Sequence, residues 1–145
     1  MRKDWDTYFM DIAFEVSERS TCPRLHVGAV LVKDKRIKGT GYNGSPKGLP
    51  HCDEDGCYMI NGHCVRTIHA EMNCLLEVAP LEREGAAMYV THMPCPECQK
   101  LIITSGVKRV VYAQDYAPAI NWLELDPSIE VVKFVSPEAD SAGAE

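Results

Sequence analysis

The 145-residue sequence has no apolar run approaching the ~20 residues that cross a bilayer, so it predicts no transmembrane helix. Its first residues, Met1 to Asp6, are charged and lead into no apolar segment, so we expect no secretory signal. Positive charge is also scarce, with 15 Lys and Arg against 21 Asp and Glu and a formal net charge of −6. Because non-specific affinity for nucleic acids comes from Lys and Arg, we expect no nucleic-acid polymer as partner. The sequence predicts a cytoplasmic protein that does not associate with membranes.

Cysteine, by contrast, is abundant, with seven residues in the chain. An odd number cannot pair completely within one chain, and structural disulfides are rare in a reducing compartment. Clustered Cys and His in such a protein more often indicate a metal site.

Hydrophobic periodicity predicts one α/β domain over residues 1–136, followed by an acidic tail, 137–145, that we expect to be disordered. With 46% hydrophobic residues the chain can fill a single core. Four segments have helical character: 5–16, 69–78 (ended by Pro80), 95–105 and 119–125. Five segments have the length and composition of strands: 27–32, 37–43, 87–91, 107–113 and 129–135. The first two strands should form a hairpin, and the 87–113 unit a right-handed parallel crossover, which gives one mixed sheet covered on both faces.

Two short motifs, each at the start of a predicted helix, indicate the chemistry. His69-Ala70-Glu71 precedes Pro94-Cys95-Pro96-Glu97-Cys98, an order typical of zinc-dependent deaminases. Catalytic zinc takes three protein ligands and keeps one position for water, so we predict His69, Cys95 and Cys98 as the ligands. A redox dithiol or half a zinc ribbon would explain C-x-x-C alone, but the combination with H-x-E favours the deaminase.

Glu71 is predicted to be the catalytic acid–base. It lies two residues beyond His69, about 200° around a regular helix, which places it beside the open zinc position rather than among the ligands. There it would take a proton from the attacking water and deliver protons to N3 and to the leaving amino group of a cytosine ring.

The segment 44–68 is rich in Gly and Pro and has no hydrophobic period, which is unusual for so long a loop in a compact domain unless something organises it. A closed structural zinc site would supply that organisation, and four sulfurs are available for it: Cys22, Cys52, Cys57 and Cys64. His51 or His63 could replace one sulfur, and four free thiols are the alternative.

These motifs, together with Cys22-Pro23-Arg24, Gly41–Pro46 and Gly62–Asn73, resemble the deoxycytidylate (dCMP) deaminases over residues 5–134. The resemblance implies a three-layer α/β/α sandwich around a five-stranded mixed sheet, a catalytic zinc, and hydrolysis of dCMP to dUMP for thymidylate synthesis. It also implies a homo-hexamer that dCTP activates and dTTP inhibits.

The resemblance also assigns individual residues. It implies that Asn43 contacts the sugar, that the backbone N–H of Ala70 meets the base, and that the family's structural zinc matches Cys22, Cys52, Cys57 and Cys64. Position 57 often carries His in this family, so Cys57 would make that site all-sulfur.

Three alternatives stay open at this point. The first is a zinc deaminase of the same fold that acts on cytidine or deoxycytidine, and the second is one that edits tRNA, although the acidic chain offers no evident basic groove. A zinc-stabilised regulatory module without activity is the third, although Glu71 and all three catalytic ligands are present.

The residues that would bind the phosphate group of a nucleotide cannot be read from a motif. Arg24, Lys47 and Arg66 are candidates, and each is equally well explained as a solvated surface charge.

Overall fold

The computed structural model describes residues 2–118 and 120–137, so the predicted tail lies outside the described residues except for Pro137. The first half of the chain contains α1 (Trp5–Ser17), β1 (Gly28–Lys33), β2 (Arg36–Tyr42), α2 (Cys52–Asp55), β3 (Met59–Ile60) and β4 (His63–Cys64). The second half contains α3 (Ala70–Leu76), α4 (Pro80–Arg83), β5 (Ala87–His92), α5 (Pro96–Thr104), β6 (Arg109–Gln114), a 3-10 helix η1 (Trp122–Leu125) and β7 (Glu130–Lys133). None of the described helices has both the length and the apolar character to span a bilayer.

Five strands form one mixed sheet in the order β2-β1-β5-β6-β7. β1 pairs antiparallel with both β2 and β5, while β6 pairs parallel with β5 and with β7. The predicted hairpin and parallel crossover are therefore confirmed. β5 ends at His92, and α5 begins four residues later. This helix is the crossover that leads from β5 to the parallel strand β6.

Helices cover both faces of this sheet, so the predicted three-layer α/β/α sandwich is confirmed. Successive residues of β1 point to opposite faces: Val30 packs with α1, and Leu31 packs with α3 and α5. The core on the α1 face includes Phe9, Met10, Ala13, Tyr89 and Val111. The core on the other face includes Cys74, Leu75, Met88, Ile102, Val107 and Val110.

Two glycines allow helices to approach the backbone of the sheet directly. A Cβ on Gly41 would lie 2.3 Å from the carbonyl oxygen of Ala70, and one on Gly28 would lie 2.0 Å from that of Ala13. Real atoms cannot approach so closely, so any side chain at Gly41 would push the start of α3 away from β2. The position of His69 and Glu71 therefore depends on a glycine about thirty residues earlier.

The structure differs from the sequence prediction in the segment 44–68 and around Pro80. The segment contains α2 and the two-stranded hairpin β3–β4, neither of which was predicted. Helix α3 ends at Leu76 rather than Val78, and Pro80 begins α4 at a position that needs no backbone N–H. The predicted helix 119–125 is a 3-10 helix from Trp122, and residue 119 lies outside the described residues.

An ion pair across the α1 face ties the helix to the middle of the sheet. Arg109 donates two hydrogen bonds to the Asp6 carboxylate, both 2.8 Å, and the Tyr89 hydroxyl donates a third to Asp6 Oδ1. The Arg109 hydrogen bond holds the pKa of Asp6 below its usual value, against the opposing effect of burial. A carboxyl whose pKa is lowered by folding stabilises the fold above its unfolded pKa, and that stability is lost as pH falls towards the folded pKa.

We expect Asp6→Asn to lower the thermal midpoint by about 3 °C at pH 7, or ~1 kcal/mol, because the pair is partly exposed and solvent weakens it. The deficit should shrink as the pH falls below about 4, because the parent then loses the same stabilisation. Thermal unfolding from pH 3 to pH 7 measures this. Asp11→Asn, which removes only an exposed ion pair with Lys3, is the matched control. A deficit of equal size at every pH would contradict the assignment.

Candidate metal centre

The H-x-E and P-C-x-x-C motifs meet at one edge of the sheet because α3 and α5 pack on the same face. His69 is the N-cap of α3 and Cys95 is the N-cap of α5, both in extended backbone conformation. Cys98 follows in the first turn of α5 and is buried. Because the two N-cap side chains are in contact, the N-termini of the two helices lie next to each other.

The three side chains come together at distances that suit zinc. His69 Nδ1 lies 3.4 Å from Cys95 Sγ and 3.3 Å from Cys98 Sγ, and all three atoms lie within 4.8 Å of one another. Tetrahedral zinc, with bonds of about 2.0–2.3 Å, separates its ligand atoms by roughly 3.5–3.8 Å. One nitrogen and two sulfurs leave a fourth position, as catalytic zinc requires.

The cluster already favours a thiolate before any metal binds. The hydrogen bond from the Cys98 thiol, helped by His69, lowers the pKa of Cys95 to about 4. The same hydrogen bond to Cys95, together with burial, raises the pKa of Cys98. The Cys95 thiolate in turn raises the pKa of His69. A metal ion would therefore meet one ready thiolate and displace the remaining protons.

Glu71 lies in the first turn of α3 with only 5% of its surface exposed, and its carboxyl group is near enough to Cys98 to help raise the pKa of that thiol. Burial raises the pKa of this carboxyl, chiefly because charge is poorly solvated there. His69 is the N-cap and lies outside the regular helix, so the separation of about 200° predicted between His69 and Glu71 does not apply. Glu71 nevertheless lies beside the three-atom cluster and is not part of it.

The two residues predicted to bind substrate have different surroundings. Asn43 is buried, and its side chain accepts a hydrogen bond from the Val27 N–H (2.8 Å) and donates one to the Leu25 carbonyl (2.7 Å). Ala70 is fully buried between His69 and Glu71.

A second cluster lies in the predicted metal-organised segment. The β3–β4 hairpin returns Cys64 to α2, so that its Sγ lies 3.7 Å from that of Cys52, and the sulfurs of Cys52, Cys57 and Cys64 lie within 4.8 Å of one another. Burial raises the pKa of Cys64, but hydrogen bonds from the Arg66 and Tyr58 backbone and from the other two thiols together outweigh it and lower the pKa to about 7. Three sulfurs at these separations suit a zinc ion.

The other predicted ligands of this second site are not in the three-sulfur group. Cys22 is buried, but its sulfur is outside the group. His51 Nδ1 is paired with the Thr21 hydroxyl at 2.9 Å, and His63 lies on the exposed side of β4. The structure thus brings together three of the four predicted sulfurs and neither histidine.

Two supporting residues were not found by sequence reasoning. The Asn73 side chain donates to the Tyr42 carbonyl (3.0 Å), and the fully buried Gln99 joins Pro94 to Trp122. Asn73 bonds to a residue about thirty positions earlier, and Gln99 to one about twenty positions later. No local sequence pattern therefore identifies either of them.

The fold and this cluster together define a zinc-binding deaminase. Residues 3–114 match the family described as the cytidine and deoxycytidylate deaminase zinc-binding region, and the chain belongs to this family. This confirms the resemblance proposed from the motifs.

Among individual relatives, the chain is 52% identical over 117 residues to ComE operon protein 2 of Bacillus subtilis (strain 168), covering 79% of this chain and 62% of that protein. It is 42% identical over 125 residues to the deoxycytidylate deaminase of Mycobacterium phage D29, covering 79% of this chain and 98% of that protein. The crystal structure of dCMP deaminase from the cyanophage S-TIM5 in complex with dCMP and dUMP superposes with a TM-score of 0.72 at 30% identity, covering 92% of this chain and 99% of that one.

Proposed function

We propose that this protein hydrolyses dCMP to dUMP and ammonia at a zinc ion held by His69, Cys95 and Cys98. The observation that carries the proposal is the His-Cys-Cys cluster with the buried Glu71 carboxyl against it. The choice of nucleotide is supported by two relatives that this chain covers almost completely, one named deoxycytidylate deaminase and one crystallised with dCMP and dUMP.

When bound, zinc would activate a water molecule for attack on C4 of cytosine. Glu71 takes a proton from that water and delivers it to N3 of the ring. As the water oxygen bonds to C4, a C4 hydroxyl forms, and Glu71 moves its proton to the amino group. The C4–N bond then breaks, ammonia leaves and the C4 carbonyl forms, so the balance is dCMP plus water to dUMP plus ammonia. The buried environment suits this role, because a carboxyl whose pKa is raised exchanges protons more readily near neutral pH.

Asn43 and Ala70 are proposed to bind the sugar and the base. The Asn43 amide uses one donor and one acceptor on the Leu25–Val27 backbone, which leaves one N–H and one lone pair for a sugar hydroxyl. For the phosphate, Lys47 remains a candidate. Arg66 already donates to the Gly56 carbonyl, and Arg24 contacts the Met59 sulfur.

We also propose a second, structural zinc bound by Cys52, Cys57 and Cys64, with Cys22 as the fourth ligand. The Cys22 sulfur lies outside the group and would have to move into it to complete a closed four-sulfur site. In support, the two short strands expose Met59 and Ile60 and bury little apolar surface to hold them in place.

The regulation and assembly of the protein are proposed from the family resemblance. We propose a cytoplasmic homo-hexamer that dCTP activates and dTTP inhibits.

The substrate is tested by incubating the purified protein with dCMP, dC, CMP and dCTP and measuring ammonia release. We expect dCMP to exceed dC in kcat/KM by roughly a hundredfold, because losing hydrogen bonds to a charged phosphate costs about 3 kcal/mol. Equal rates with dC would overturn the nucleotide assignment and favour a nucleoside deaminase.

A further inference from the structure

Gln99, directly after the second cysteine of the C-x-x-C motif, is a polar side chain with none of its surface exposed. Buried amides are costly unless their hydrogen-bonding groups are satisfied, so a Gln in this apolar face requires an explanation. Its neighbours in α5 include Cys98 and Ile102, which are also fully buried.

Both ends of the Gln99 amide are used. Nε2 donates to the Pro94 carbonyl at 2.9 Å, and Oε1 accepts from the Trp122 N–H at 2.7 Å. Neither backbone group belongs to a sheet or to the interior of a helix. Trp122 begins η1, which packs against α5. Gln99 therefore fastens the turn before α5 to a separate segment of the chain.

The Pro94 carbonyl belongs to the peptide bond that leads into Cys95. Fixing this carbonyl fixes the plane of the 94–95 peptide and with it the position of the Cys95 Cα and the direction of its N–Cα bond. Gln99 also donates its own backbone N–H to the Cys95 carbonyl at 2.9 Å, so the residue holds Cys95 from both sides. Proline at 94 and 96 limits the backbone further, because each ring fixes its own φ.

We infer that Gln99 is a positioning residue for zinc binding, which acts by holding the Pro94–Cys95 peptide in the orientation that keeps the Cys95 sulfur beside His69 and Cys98. It does not contact the substrate. The inference rests on the proposed zinc site and extends it to a residue outside the motif. Residues that support metal ligands typically change metal affinity by about 10–100-fold when they are replaced.

Gln99→Met is the decisive variant, because it keeps the length of the side chain and removes both hydrogen bonds. We expect its zinc to be lost at a free chelator concentration about tenfold lower than for the parent, as measured by elemental analysis after dialysis against a chelator series. Because two zinc ions per chain are proposed, the zinc-loss curve should have two steps. His69→Ala removes a proposed ligand of this site, so the step missing from its curve is the one that belongs to this site. We also expect kcat for dCMP to fall more than KM rises.

Gln99→Leu is the second variant. Its apolar side chain also removes both hydrogen bonds, so it should share the zinc defect. Phe9→Leu, which destabilises the opposite core without touching the site, controls for a general loss of stability.

A zinc-loss curve for both Gln99 variants that matches the parent would overturn the inference and leave Gln99 as a core residue only. The chelator curve is read without any substrate, so a failure of the dCMP assignment would not affect it.

Discussion

Glu71→Gln should lower kcat for dCMP by about 10²–10⁴-fold while leaving both the zinc content and the affinity for dCMP close to those of the parent. Glutamine has the same shape as glutamate and can keep a hydrogen bond in the buried pocket. It cannot accept a proton from water or release one to the ring, so only proton transfer is lost. Steady-state kinetics, elemental analysis and equilibrium binding of dCMP measure the three quantities separately.

The matched control is Glu97→Gln, which makes the same chemical change inside the P-C-x-x-C motif. Glu97 is exposed and forms an ion pair with Lys100, so its replacement should leave kcat unchanged. If Glu71→Gln binds dCMP normally and turns it over as well as the parent, Glu71 is not the acid–base. A parent that binds dCMP but releases no ammonia would instead support an inactive regulatory module.

Cys64→Ser should remove one zinc of the two that we propose and lower the thermal midpoint by roughly 10 °C, a loss of about 3 kcal/mol. Cys64 is the proposed ligand that would join the β3–β4 hairpin to α2, since its sulfur lies 3.7 Å from that of Cys52. Serine oxygen is a poor zinc ligand at neutral pH, so the segment 44–68 would lose its cross-link. We expect activity to fall as well, because Ile68 at the end of this segment pairs with Gly44 and leads directly into His69.

Cys74→Ala is the control for removing a cysteine. Cys74 is fully buried in the α3 core and belongs to neither cysteine cluster. Its replacement should cost some stability but leave the zinc content unchanged. Two zinc ions per chain in Cys64→Ser, or one in the parent, would contradict the structural zinc site. Elemental analysis combined with thermal unfolding distinguishes these outcomes.

The catalytic cluster could be predicted from sequence because each half of it is local. His69 and Glu71 are two residues apart, as part of one helix start, and Cys95 and Cys98 are three apart at another. Local spacing and helix geometry are enough to place the two members of each pair relative to each other. The strand–helix–strand pattern then predicts that α5 follows β5 directly. The mixed sheet was predictable for the same reason, since its hairpin and its crossover join elements that are neighbours in sequence.

The three-cysteine cluster that we propose as a structural zinc site was only partly predictable. Four cysteines and the missing hydrophobic period indicated a metal in the segment 44–68. They did not reveal α2 or the β3–β4 hairpin, because strands of two residues have no detectable period. Which sulfurs meet depends on how that hairpin folds back, and it brings Cys52, Cys57 and Cys64 together while the Cys22 sulfur stays outside the group.

The sequence by itself therefore determined the class of fold and indicated the chemistry that we propose for it: which side chains would hold zinc and which carboxyl would move protons. Only the tertiary structure decided how that chemistry is held in place. Gly41 lets α3 rest directly on β2, and Gln99 ties the Pro94–Cys95 turn to η1. These contacts join residues about twenty to thirty positions apart, and such pairings arise from packing against the whole sheet rather than from any local pattern.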